Sequence, residues 1–245
     1  MAELSRLTDF YLELDGSAVL SASLVERVNA VCRQVGEGRK DAVLLVRVAG
    51  GRDGAEAPER TGVEAAWPYD VDVHTVNQWE RALRRLERLP AVTVAAVDGT
   101  CRGPALDALL TTDYRVATAD TRLGVPTSGR GTWPGMAIHR LANQVGVARA
   151  RRLALFGTAL DAAHAVEWGL LDEVAGDLTA RCRDVIDRFA GTSGKELSIR
   201  RQLLFDASAT SFEDALGSHL AACDRAIRLA GTGPDAAPGL VGVSG

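Results

Sequence analysis

Two apolar runs constrain the fold of this 245-residue chain more than anything else in it: residues 42–48 (AVLLVRV) and 91–97 (AVTVAAV). Both are rich in β-branched residues and nearly continuous, the pattern of strands covered on both faces, and such strands belong to parallel sheets flanked by helices. The segments around them agree. Residues 10–14 (FYLEL) alternate as a short strand and Asp15-Gly16 reads as a turn. Leu24, Val28, Val31 and Val35 then recur at helical spacing after a Ser23/Glu26 capping box, with Gly36 or Gly38 as the stop. Residues 74–89 (HTVNQWERALRRLERL) place Val76, Trp79, Leu83, Leu86 and Leu89 on one helical face. Arg81, Arg84, Arg85 and Arg88 spread around the other with Glu80 and Glu87 at salt-bridge spacing, as on a solvated surface. Pro90 stops this helix, so the first hundred residues read β–α–β–α–β, an α/β class.

Beyond the second run, Gly103 as N-cap and Pro104 in the first helical position make a well-formed helix start. A strand at 114–118 and a loop rich in Gly and Pro follow, and the periodicity predicts helices over about 136–145, 148–156, 161–168, 178–190, 195–207 and 211–229. The expected division is a core over 1–176, a C-terminal helical region over 177–230 and a flexible tail over 231–245. Residues 50–72 are aperiodic, and a loop that long in a compact domain lines a site or moves.

Several function classes drop out. A net charge of −4 offers no basic footprint for a nucleic-acid duplex, and no apolar run approaches the roughly 18 residues of a membrane helix. The opening MAELSRLTDF carries acids and no apolar signal core, so a cytoplasmic location is expected. Lys40 and Lys195 are the only lysines, and both sit in polar, turn-like contexts unsuited to a Schiff base. Cys32, Cys101, Cys182 and Cys223 lack metal-ligand spacing and read as buried free thiols, so no metal is expected. His139 and His164 lack acidic partners at triad spacing and read as surface or packing residues. No G-x-G-x-x-G follows either strand, which disfavours a dinucleotide-binding dehydrogenase.

Three stretches, in order, are familiar: VTVAAVDGTCRGPALDALLTTDYRVAT, RLGVPTSGRGTWPGMAIHRL and ARRLALFGTALDAAHAVEWGLLDEV. Together they resemble the crotonase, or enoyl-CoA hydratase/isomerase, superfamily. The resemblance implies a crotonase (ClpP-like) ββα superhelix core, a C-terminal helical trimerisation region and a homotrimer or hexamer. It also implies an acyl-CoA thioester as substrate or ligand, with no further cofactor required. WERALRRLERLPAVTVA and GPALDALLTTDYR are similar to the DpgB-type proteins of dihydroxyphenylglycine biosynthesis. Those accompany a type III polyketide synthase and help dehydration and aromatisation to 3,5-dihydroxyphenylacetyl-CoA in glycopeptide-antibiotic production.

The resemblance also assigns roles. Crotonase chemistry stabilises an enolate oxyanion with two backbone N–H groups, each worth several kcal/mol. The register puts Pro104 where the family has a donor glycine, and proline has no N–H. Either Gly103 or Ala105 supplies the donor, or the oxyanion hole is impaired. The family's second donor loop is missing; Tyr69-Asp70-Val71-Asp72 is its counterpart, with Val71 offering the N–H. The first family glutamate maps onto Asp107, a carboxylate one methylene shorter, and the second onto Thr127, whose hydroxyl orients water but takes no proton at neutral pH. Trp133 packs the loop before Pro134-Gly135 and borders the acyl pocket in this reading, and Cys101 lies in the turn facing it. Arg47 and Arg52 flank the long loop as candidate coenzyme A contacts, with surface salt bridges as the alternative. Two functions follow: a lyase or isomerase with a depleted catalytic set, or a non-catalytic accessory protein that stimulates the synthase.

Overall fold

A computed structural model describes residues 3–39, 41–50, 71–128 and 131–231. The chain divides into two compact units, 1–198 and 199–245. Along the first run β1 (Phe10–Asp15), α1 (Ala22–Gly36), β2 (Val43–Ala49), α2 (Val73–Glu87), β3 (Val92–Asp98), β4 (Thr100–Arg102) and α3 (Pro104–Leu109). They are followed by β5 (Tyr114–Ala117), β6 (Arg122–Gly124), β7 (Thr127–Ser128), β8 (Gly131–Thr132), α4 (Ala137–Val145) and α5 (Val147–Phe156). Then come β9 (Leu160–Asp161), α6 (Ala162–Glu167), β10 (Glu173–Val174) and α7 (Leu178–Arg188). Helix α8 (Gly194–Asp206) runs across the division, and α9 (Phe212–Gly231) belongs to the second unit. The tail beyond residue 231 lies outside the described residues.

The main sheet has the order β1-β2-β3-β5-β10 with every pair parallel, as the two buried runs require. Strand period decides which side each residue serves. Leu44, Val46 and Val48 pack with α1 and α2 in the larger core, whereas Leu45, Val92, Val94, Ala96 and Val116 meet Leu178, Cys182 and Val185 of α7 on the other face. Helix α7, expected in a separate C-terminal region, is thereby part of the first unit. That unit ends at Ser198 rather than at 176 because the sheet's second face needs a cover.

The α1 cap differs from the expected Ser23/Glu26 box. Leu24 N–H donates to Ser21 Oγ at 3.3 Å, and Ser21 has the extended backbone a cap needs while Ser23 already lies in the helix. Arg33 in the last turn of α1, and Arg84 and Arg85 in that of α2, face the negative ends of the helix dipoles, which gives these exposed arginines a structural reason. Among the described residues no helix is long and apolar enough to cross a membrane.

Two glycines bring the strand ends together. A Cβ on Gly16 would lie 1.7 Å from Thr100 O, and one on Gly50 1.9 Å from the same atom. Gly16 O accepts from Arg102 N at 2.7 Å and Gly50 N donates to Asp98 O at 2.8 Å, so β1, β2 and β3 converge on β4, the segment leading into α3. Gly50→Ala forces β4 away. Overpacking of this kind costs about 1–3 kcal/mol or more, read as a lower urea midpoint. A Gly50→Ala variant as stable as wild type would contradict the close approach.

Candidate active site

The site begins where β4 turns into α3. Gly103 has φ 54° and ψ −131°, a conformation that side chains resist, and it aims the chain so that Pro104 opens the helix. Every residue of α3 is buried. Pro104 has no N–H, whereas Ala105 and Leu106 carry first-turn N–H groups without an acceptor among the described residues. Of the expected donors at this corner, Ala105 carries its N–H in the first turn of the helix, and Gly103 precedes it as the cap.

The far end of α3 is fixed by Arg115, a buried side chain on β5. Its Nη2 donates to Leu110 O and Thr112 O, both at 3.1 Å, and its Nη1 to Gln144 Oε1 at 3.0 Å and Leu170 O at 3.2 Å. Gln144 of α4 also donates to Leu110 O at 2.8 Å. One guanidinium thus ties α3, α4 and the turn before β10.

Asp107 lies between these anchors, 5% exposed. The indole N–H of Trp79, on α2, donates to Asp107 Oδ2 at 3.0 Å, and the carboxyl has no other hydrogen-bond partner among the described residues. Burial pushes its pKa up to about 7; the Trp79 bond and the charge of Arg140 pull against this, while Glu80 adds to it. A carboxyl that titrates near neutrality can both give and take a proton there.

An ion cluster centred on two buried members, Arg140 and Glu87, joins α2 and α4. Arg140 of α4, 7% exposed, donates from Nη1 to Glu80 Oε2 at 3.0 Å and lies with Nε 3.7 Å from Glu87 Oε1. Arg84 reaches the same Glu87 at 2.6 Å. Glu87 pairs with the helix arginine Arg84, as expected of the solvated face, and Glu80 and Glu87 also meet Arg140 of α4; Glu87 is only 4% exposed. The sequence does not single out Trp79, Glu80 and Arg140 as site residues. Its one signal is Trp79 itself, since a buried indole N–H needs an acceptor.

Thr127 is exposed in the β7–β8 hairpin opposite Thr132, its methyl against Gly157, and no hydrogen bond links it to Asp107. Trp133 packs over Gly135 and its backbone N–H donates to Pro126 O at 3.0 Å. Val71 packs on the core just before Asp72, whose carboxylate is taken up as the α2 cap, accepting from Thr75 N at 2.8 Å. Arg47 does not reach outward as a coenzyme contact would. It sits inside the sheet with Nη2 3.1 Å from Asp98 Oδ2, because β2 is covered on both faces. Arg52 lies outside the described residues. Cys101 is fully buried and its thiol is pushed up by that burial; Cys223, expected buried, is exposed. His164 does have an acidic partner, Asp161 Oδ1 at 2.8 Å, in an exposed cap of α6.

Comparison with known proteins places this geometry. Residues 65–210 match the family described as enoyl-CoA hydratase/isomerase. A protein of Amycolatopsis orientalis called enoyl-CoA-hydratase is 40% identical over 225 residues, 91% of this chain and 98% of that protein. Among solved structures, the chain is similar to an enoyl-CoA hydratase/isomerase from Marinobacter aquaeolei, at TM-score 0.71 and 18% identity over 92% of this chain and 89% of that one. It is similar also to an enoyl-CoA hydratase from Mycobacterium smegmatis, at TM-score 0.72 and 17% identity over 92% and 89%. At such identities the two structures speak for the fold alone.

Proposed function

Because this chain belongs to the enoyl-CoA hydratase/isomerase family, we propose that it binds an acyl-CoA thioester and moves a proton on it with Asp107. The observation that carries this reading is the buried carboxyl at the family's acid position, held by Trp79 and raised to about 7. Beside it, the Ala105 N–H at the start of α3 supports oxyanion stabilisation without help from Pro104. Thr127 offers a hydroxyl that takes no proton at neutral pH, so the reaction runs on one acid–base group, which suits a lyase or isomerase step better than two-acid hydration.

The finer proposal is a polyketide-derived substrate. The protein then assists dehydration or aromatisation toward 3,5-dihydroxyphenylacetyl-CoA beside a type III polyketide synthase, as a cytoplasmic homotrimer or hexamer, without a further cofactor. The stretches 79–95 and 103–115 support it through their likeness to DpgB-type proteins. A second reading has its own observation: Pro104 removes a donor and Thr127 offers no carboxylate, which favours an accessory protein that stimulates the synthase without turnover.

Synthase supplied with malonyl-CoA separates the two. Product formation should rise with wild-type protein and not with Asp107→Asn. An enhancement that survives the substitution would remove the acid–base reading, and co-purification of that variant with the synthase would then favour the accessory one. A monomer by light scattering would overturn the proposed assembly.

A further inference from the structure

We infer that Trp79, Glu80 and Arg140 are positioning residues for Asp107, a set on α2 and α4 that holds the carboxyl for proton transfer. This rests on the acid–base reading of Asp107 above. Three observations support it. Trp79 and Glu80 are successive residues of α2, so the helix that binds the carboxyl at 3.0 Å also delivers the neighbouring charge. Arg140 and Glu87 are both more than nine-tenths buried, and Arg140 lies between two carboxylates two helical turns apart, 3.0 Å from one and 3.7 Å from the other. Burying such ions costs several kcal/mol each, and apolar residues of the same size would pack as well, so the cluster is poorly explained as a stabilising device alone.

Trp79 is bonded to Asp107, and the charged or titratable groups that act on the carboxyl are Glu80, the next residue of α2, Arg140 of α4, which is bonded to Glu80, and the Cys101 thiol from β4. Cys101 is fully buried and uncharged at neutral pH, so the charges that act on Asp107 are Glu80, which opposes ionisation, and Arg140, which favours it. The two are bonded to each other. Removing either one unmasks its partner, and the two removals act on Asp107 in opposite directions. Trp79 acts through its N–H, which fixes Oδ2 and leaves Oδ1 to meet substrate.

Carbon-13 titration of the Asp107 carboxyl, together with the pH–rate profile of the synthase assay, tests this. Glu80→Gln lowers the midpoint by about one pH unit and Arg140→Met raises it by about as much, the low end of the effect of a near charge. Trp79→Phe keeps the ring, loses the donor and also raises the midpoint, while Glu80→Asp returns toward wild type. Should Arg140→Met fail to fold, Glu80→Gln and Trp79→Phe carry the test, since they too move in opposite directions. Unmoved midpoints, or shifts of one sign in all variants, overturn the assignment. Opposite shifts in a protein whose activity ignores Asp107→Asn would keep the positioning set and remove the acid–base reading instead.

Discussion

Asp107→Asn is expected to lose about 100- to 10,000-fold in activity, the usual contribution of a placed acid or base, and yet to be more stable than wild type above neutral pH. The second half follows from the direction of the pKa change. An aspartate carboxyl titrates near 3.9 in the unfolded chain and at about 7 here, so between those values the folded state binds the extra proton. Wild-type stability is therefore full at low pH with respect to this group and falls as the pH rises from about 4 to 7. Asparagine keeps the acceptor for Trp79 and never ionises, so it avoids a loss of about 4 kcal/mol. Urea unfolding at pH 5 and pH 8 reads the difference. The variant should fall less between the two, and equal losses would mean that Asp107 is not the buried ionising group.

Arg115→Met should be the most destabilising single change in the first unit. It leaves Thr112 O, Leu170 O and Gln144 Oε1 without their donor and strips Asp172 of the adjacent charge. Breaking a buried, hydrogen-bonded ionic group in this way costs about 3–5 kcal/mol. Lysine does not rescue it, because one ammonium cannot reach four acceptors held in a planar fork. Since α3 ends on these bonds, activity falls along with the urea midpoint. A loss below about 1 kcal/mol would show that α3 is held by other contacts.

Fold and site are unequally legible in the sequence. The two β-branched runs disclose a covered parallel sheet, and the Gly103-Pro104 start locates α3, because strand burial and helix initiation are written in contiguous residues. Short strands such as β6 and β9 leave no such trace, since two or three residues cannot display a period. Ser21 displaces Ser23 as the α1 cap, the kind of shift that local sequence resolves least well. Asp107 is reached through the family pattern, but its surroundings are not. Trp79 is 28 positions away from it, and Arg140 meets Glu80 across 60, separations that only the packing of α2, α3 and α4 closes. Arg47 misleads for a related reason: in a strand covered on both faces, an arginine facing either way is buried and must find Asp98.

The central claim is that Asp107 is a protonatable carboxyl that meets a thioester. Carbon-13 titration of that residue, free and with an acyl-CoA thioester added, tests it most directly. The account predicts a midpoint near 7 that moves when the thioester binds. A midpoint near the ordinary aspartate value of about 4, indifferent to the thioester, would contradict it.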